Sequence, residues 1–407
     1  MTSVISRRPD LVLVPRTETP AERALEKKRI RKHYVLKIIR DYGPISRAGI
    51  SKTVGLNMQS VATHVDDLVK AGLVHEEEAK ETTIGRRPTL CTLKADAAMV
   101  AGVDFTPKQA TILLTNLKGE EISRTNCKAP ANQKPDSREA AQWITECLDG
   151  ILHQEGAEYP PLAGVGISWP WEVPFSAPEL SSIGLSPLDP TASSGVVQRL
   201  VSEMTQVPVI VEARPRAMAL ASLLSGEGKE FINFVYLSTE TSFHAAFVQN
   251  GRVMHGSAGR AGNLSPVSYD GGSLGDVLSE GGLKALAKAH GAAKGDVASL
   301  ISQAEKGNAK ALAVWEDYGK ALAHGVAILI HTIDPTAVII GGSVSPAAPY
   351  FLPKAKETLA SLTSEEQLAR TQVLACGLGE EAITHGATSL VLHHIFSMAH
   401  IDLAQVL

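Results

Sequence analysis

Residues 34–93 constrain this 407-residue chain more than any other stretch, because they order several short elements that few small folds accommodate. Ile30, Tyr34, Val35, Ile38 and Ile39 recur at helical spacing until Asp41-Tyr42-Gly43-Pro44, where proline removes an amide donor and the helix must end. Ser46 is placed to cap a second helix over 47–54, and Gly55 permits the tight turn after it. Asn57 predicts the start of a third helix ending at Ala71-Gly72. Its spacing puts Val61, Val65, Leu68 and Val69 inward and Gln59, Ser60, Thr63 and His64 outward. Glu76-Glu77-Glu78 then reads as a solvated strand start, Gly85-Arg86-Arg87-Pro88 as a loop tip and Thr89–Leu93 as an alternating strand. Three helices followed by a basic hairpin is the order of a winged helix-turn-helix.

A polar outward face is also what any solvated helix shows, so the tandem arrangement carries the reading. Short polar side chains suit base edges and phosphates in a major groove, and Ser46, Arg47 and Lys52 join Gln59, Ser60, Thr63 and His64 as DNA-contact candidates. Arg86 and Arg87 on a loop tip suit a narrow, electronegative minor groove, though a plain surface hairpin would look alike. The net charge of −4 hides an asymmetry. Residues 1–100 hold 18 Lys/Arg against 12 Asp/Glu, and the remainder 21 against 31. A basic front suits a polyanion, and an acidic body stays off it. The expected organisation is a flexible basic leader over 1–29, a DNA-binding domain over 30–97 and a larger domain over 98–407. The expected partner is double-stranded DNA with an inverted-repeat operator, held by a homodimer or homotetramer.

Beyond residue 100 the pattern becomes strands alternating with helices. Strands are predicted over 101–105, 110–116, 121–126, 162–168 and 209–211, with helices over 137–153 and from about 216 to 225. A second round repeats the order: strands over 231–237 and 243–248 with an Asn250-Gly251 turn, a long helix over 309–332, and a strand over 337–340 entering Gly341-Gly342-Ser343. Two α/β halves, each opening on a hairpin, suggest a duplicated unit with a cleft between lobes. No stretch of about 18 apolar residues suggests a membrane span, and no signal-peptide core is visible, so a cytoplasmic protein is expected. The scattered Cys91, Cys127, Cys147 and Cys376 argue against a disulfide framework or a cysteine-rich zinc site.

Over residues 30–397 the chain resembles the ROK family of repressors and sugar kinases. The matching pieces are the helix-turn-helix with its Gly-Arg-Arg-Pro wing, Gly102-Val103-Asp104, Gly164–Ser168, Asn250-Gly251-Arg252 with Ala261-Gly262, and Ile333-Asp334-Pro335 to Gly341-Gly342. The resemblance implies an actin-like, duplicated ATPase fold behind the DNA-binding domain. It also implies a sugar or related metabolite in the cleft that alters how the oligomer holds DNA.

The departures from the family's kinase pattern are informative. Where kinases have Asp-x-Gly-Gly-Thr, Asp104 is followed by Phe105, Thr106, Pro107 and Lys108, which crowd a phosphate and remove an amide. The second glycine loop is replaced by Ser242, Phe243, His244, Ala245 and Ala246. The family's Glu-Asn-Asp-Ala-Asn becomes Glu212-Ala213-Arg214-Pro215-Arg216, and an arginine at the base position cannot accept a proton. Asn263-Leu264-Ser265-Pro266 replaces the sugar-binding Glu-x-Gly-His, and the zinc cysteines are absent. No catalysis, cofactor or metal is therefore expected. The candidate effector residues are Asp104, Trp171, Glu212, Arg214, Arg216, His244 and Asn263. Arg214 and Arg216 suit an anionic ligand, such as a sugar phosphate or sugar acid, or pair internally with Glu212 or another carboxylate. Trp169 and Trp171 stack on a sugar ring or fill vacated space. His244 and His393-His394 read as surface or core histidines. The expected function is a ligand-gated DNA-binding regulator, by default a repressor; a constitutive DNA-binding protein and a sugar kinase are the alternatives.

Overall fold

A computed structural model of the chain describes residues 20–79, 88–129, 137–170, 173, 188–240, 242–379 and 381–396. These fall into two compact units, residues 20–94 with 395–396, and residues 95–394.

The smaller unit holds helix α1 (Pro20–Tyr42), strand β1 (Ile45–Ser46), α2 (Arg47–Val54), α3 (Met58–Lys70), β2 (Val74–Glu78) and β3 (Thr89–Leu93). Helix α1 starts inside the stretch expected as a leader. The local signals act as anticipated: Ser46 accepts the Gly49 N–H, Asn57 accepts the Ser60 N–H, and Gly55 stands at φ +70°. The strands form an antiparallel sheet ordered β1-β3-β2. Val35, Leu36 and Ile39 of α1 meet Ile50, Val61, Val65 and Leu68 in its core, while Ile30 and Tyr34 are exposed.

Residue 64 corrects one expectation. The buried stripe of α3 is Val61, His64, Val65 and Leu68, and Val69 is exposed. Positions 61, 64, 65 and 68 make an i, i+3, i+4, i+7 set that a helix can bury as readily as 61, 65, 68 and 69, and the packing of α3 takes the first despite the polarity of histidine. Burial lowers the His64 pKa, which favours the neutral ring.

The larger unit opens with β4 (Met99–Phe105), β5 (Gln109–Asn116), β6 (Glu121–Lys128), α4 (Ser137–Leu152), β7 (Leu162–Trp169), α5 (Ser193–Thr205), β8 (Val209–Ala213) and α6 (Arg214–Ser225). Its second round runs through β9 (Asn233–Ser238), β10 (His244–Gln249), β11 (Arg252–Val253), the small pair β12 (Ser268–Tyr269) and β13 (Gly272–Ser273), then α7 (Gly275–Leu278), α8 (Glu280–Ala289), α9 (Val297–Glu305) and α10 (Ala309–Ile333). It continues with β14 (Ala337–Gly341), α11 (Ala348–Leu362), α12 (Glu365–Arg370) and β15 (Gln372–Ala375), and α13 (Glu381–Phe396) follows.

The duplication is explicit in the sheets. One is ordered β6-β5-β4-β7-β8 and the other β11-β10-β9-β14-β15. Each is an antiparallel three-stranded meander continued by two parallel strands. The two sheets thus share one topology. The glycines of the family motifs have a packing role here. Gly102 and Gly166 pair in register on β4 and β7, and a Cβ on either would collide with the backbone of α13 at Thr388 N (2.5 Å) or Ala387 O (1.9 Å). Glycine at both positions lets α13 lie directly on the sheet.

Candidate functional site

On the smaller unit, Lys52, Gln59 and Thr63 are exposed, and Ser46 and Ser60 are half-buried. Met58 begins α3 at 50% exposure, an apolar group at the helix end that enters a groove in helix-turn-helix proteins. Arg47 is used differently from the expectation. Its Nε and Nη2 donate to both oxygens of Glu76 at 2.8 and 2.7 Å, and Nη2 also reaches Asp66 at 2.7 Å. This fork ties α2 to α3 and β2, and the hydrogen bonds from Arg47 hold the Glu76 carboxyl below its usual range. Glu76 is therefore a structural anchor, in contrast to a solvated strand start. Arg86 and Arg87 lie outside the described residues.

On the larger unit, a cavity of about 220 Å³ opens beside the carboxyl ends of β7, β8 and β9, where open α/β sheets characteristically bind ligands. Trp169, Arg214, Arg216, Glu240, His244 and Asn263 are among its lining residues. It is smaller than the roughly 300–1,000 Å³ of drug-sized sites.

Two charge networks hold the arginines that line it. Arg214 Nη2 lies 2.9 and 3.1 Å from the Asp104 carboxylate oxygens, at the end of β4. Burial pushes the Asp104 carboxyl up, and the Arg214 guanidinium opposes that shift. Four residues along the chain from Glu212, Arg216 donates through Nε to Glu212 Oε1 at 2.7 Å and through Nη1 to the Gly259 carbonyl at 3.1 Å. His255 Nε2 closes the network, 2.6 Å from Glu212 Oε2. Burial raises the Glu212 pKa, but Arg216 and His255 outweigh it and hold the carboxyl at about 2. Both cleft arginines are thus engaged internally, the alternative to an anionic ligand.

Trp169 is 2% exposed and stacks on Phe105 with ring centroids 4.8 Å apart, so it fills the core beneath the cavity. Trp171 lies outside the described residues. His244 and Asn263 pair as an isolated antiparallel bridge at the rim, and His244 Nδ1 lies 2.8 Å from Ser242 Oγ. His393 is buried and His394 Nδ1 bonds the Leu390 carbonyl within its helix. Among the described residues, no group of three or more histidine, cysteine or acidic side chains could hold a metal ion. His255 and Glu240 had no sequence signal, because their partners lie tens of residues away.

Both the paired topology and the cleft position point to one family, and its profile matches residues 100–394. The chain belongs to the ROK family. Its relatives include the xylose repressor of Caldicellulosiruptor bescii, 23% identical over 91% of this chain and 97% of that protein. The DNA-binding transcriptional dual regulator NagC of Escherichia coli is 23% identical over 89% of this chain and 94% of its own length. A solved ROK family transcriptional regulator, a homolog of the E. coli MLC protein, shares the fold with a TM-score of 0.78 at 20% identity, covering 93% of this chain and 99% of that one. This chain is a transcriptional regulator of the ROK family. None of the helices among its described residues is long and apolar enough to cross a membrane.

Proposed function

We propose that the chain is a sugar-responsive repressor in which the cleft senses the ligand and has no kinase activity. The observation that carries this reading is the Arg214–Asp104 ion pair. Arg214 stands where the family's kinases place their general base, and a guanidinium engaged by a carboxylate neither accepts a proton nor frees Asp104 to do so. A homodimer or homotetramer would set α3 of two copies into successive major grooves of an inverted repeat. Gln59, Ser60 and Thr63 would face base edges, Lys52 a phosphate, and Arg86 and Arg87 the adjacent minor grooves. Ser46 acts as the cap that orients α2, and Arg47 as its clamp.

A ligand shifts operator affinity only by binding the DNA-competent and DNA-released states differently. Arg214 and Arg216, held by Asp104 and Glu212, would shape the floor of the ligand site, His244 and Asn263 would stand at its rim, and Trp171 is a candidate ligand contact. The test is a thermal-shift screen of sugars, sugar phosphates and sugar acids, followed by anisotropy titration of a DNA selected from a random duplex library. One class should raise the melting temperature and weaken DNA binding. Flat melting curves across the panel would sink the effector reading, and sugar-dependent ATP turnover would sink the non-catalytic one.

A further inference from the structure

Two turns of the second half of the cleft unit meet at one hydrogen bond. Gly341-Gly342-Ser343 ends β14 and leads toward α11, with Gly342 in the left-handed region at φ +85°. The Ser343 N–H donates to Glu240 Oε1 at 2.7 Å, and Glu240 belongs to the turn between β9 and β10. The approach is close: a Cβ on Gly342 would come within 2.1 Å of Glu240 Oε1. The backbone of Glu240 is held as well, its carbonyl accepting the Glu280 N–H at 2.9 Å where α8 begins. Glu240 also lines the cavity.

A left-handed glycine followed by an inward amide is a backbone arrangement that accepts anions. Here a carboxylate from the chain itself sits on it. We propose that Glu240 is a specificity residue, an intramolecular anion that occupies the Gly342–Ser343 cradle and so excludes phosphate-bearing ligands, including nucleotides, from this half of the cleft. A phosphate entering would have to displace the carboxylate from its amide or lie beside a like charge, and either is unfavourable. The arrangement gives Gly342 a role without a glycine-rich partner loop: it makes room for Glu240. The inference does not depend on which sugar the cleft senses.

The experiment titrates full-length wild type, Glu240→Ala and Glu240→Gln with inorganic pyrophosphate and with ADP by isothermal titration calorimetry. Removing the carboxylate in Glu240→Ala should tighten binding of both probes at least tenfold. Adding Gly342→Ala, which strains the left-handed backbone, should abolish that gain. Glu240→Gln keeps an acceptor for the Ser343 N–H and removes only the charge, so it should gain at least threefold. It also serves as the test if the alanine variant loses its circular-dichroism signature. Wild type binding pyrophosphate as tightly as the two single Glu240 variants, or a folded single variant that gains nothing, would overturn the proposal.

Discussion

The face of α3 and the floor of the cleft were both marked by polar residues at unusual places, yet the fold uses them in opposite ways. Lys52, Gln59 and Thr63 stand exposed on the helix-turn-helix, so their side chains are available to an outside partner. Asp104, Glu212 and Arg216 are at most 7% exposed, and with Arg214 they are engaged with one another. Burial is the cause of the difference. A charge removed from water is tolerated only with a partner and hydrogen bonds, whereas an exposed one is already satisfied by solvent. Arg47 is the instructive intermediate: it lies on the helix-turn-helix unit but is held by two carboxylates.

The largest effect that would test this contrast is expected in the cleft. Arg216→Ala leaves the buried Glu212 carboxylate with only His255 and the Ala213 N–H and should destabilise the larger unit by about 3–5 kcal/mol in chemical denaturation. Replacing both partners, as Arg216→Met with Glu212→Leu, should recover much of that loss. If the single variant costs less than about 1 kcal/mol, the floor is solvated and the contrast collapses. Next in size is the wing. Arg86→Ala with Arg87→Ala should weaken operator binding about 10- to 100-fold without changing stability, and each lost phosphate contact should flatten the salt slope by about 0.9. An unchanged affinity and slope in an anisotropy titration would remove the wing from the interface.

Arg47→Ala should cost about 1 kcal/mol of stability, since its pairs are partly exposed. Operator affinity measured well below the melting temperature should stay within about threefold of wild type. A much larger loss would place Arg47 on the DNA after all and erase the intermediate case. The smallest expected effect is that of mild acid. Glu212 is held at about 2 in the folded chain against an ordinary 4.5. Its stabilisation is therefore complete above pH 4.5 and disappears as pH falls toward 2. A melting-temperature series should show no change attributable to Glu212 between pH 7 and 5, and a loss below that window which Glu212→Gln lacks.

Much of the architecture was legible in the chain because its signals are local. Ser46, Asn57 and Gly55 act on neighbours within a few residues, and the near-continuous apolar runs of β4, β5, β7 and β9 report burial on both faces. The misplaced inward face of α3 shows the limit of that logic. Both Val69 and His64 border the stripe, and only packing against α1 and α2 selects between them.

The site was legible in its residues and not in their pairings. Glu212-Ala213-Arg214-Pro215-Arg216 puts at 214 an arginine, which cannot accept a proton, and that is a property of side-chain chemistry alone. Which carboxylate each arginine would meet was left open, because Arg214 and Asp104 are brought together only by the parallel pairing of β4, β7 and β8. By itself the sequence determined the order of elements, the duplication and the residue types that stand in the cleft, all consequences of short-range periodicity and residue type. Only the tertiary structure decided that His255 closes the Glu212 network and that Glu240 rests on the Ser343 amide. Those contacts join turns far apart in the chain, and their geometry exists only after the two sheets have formed.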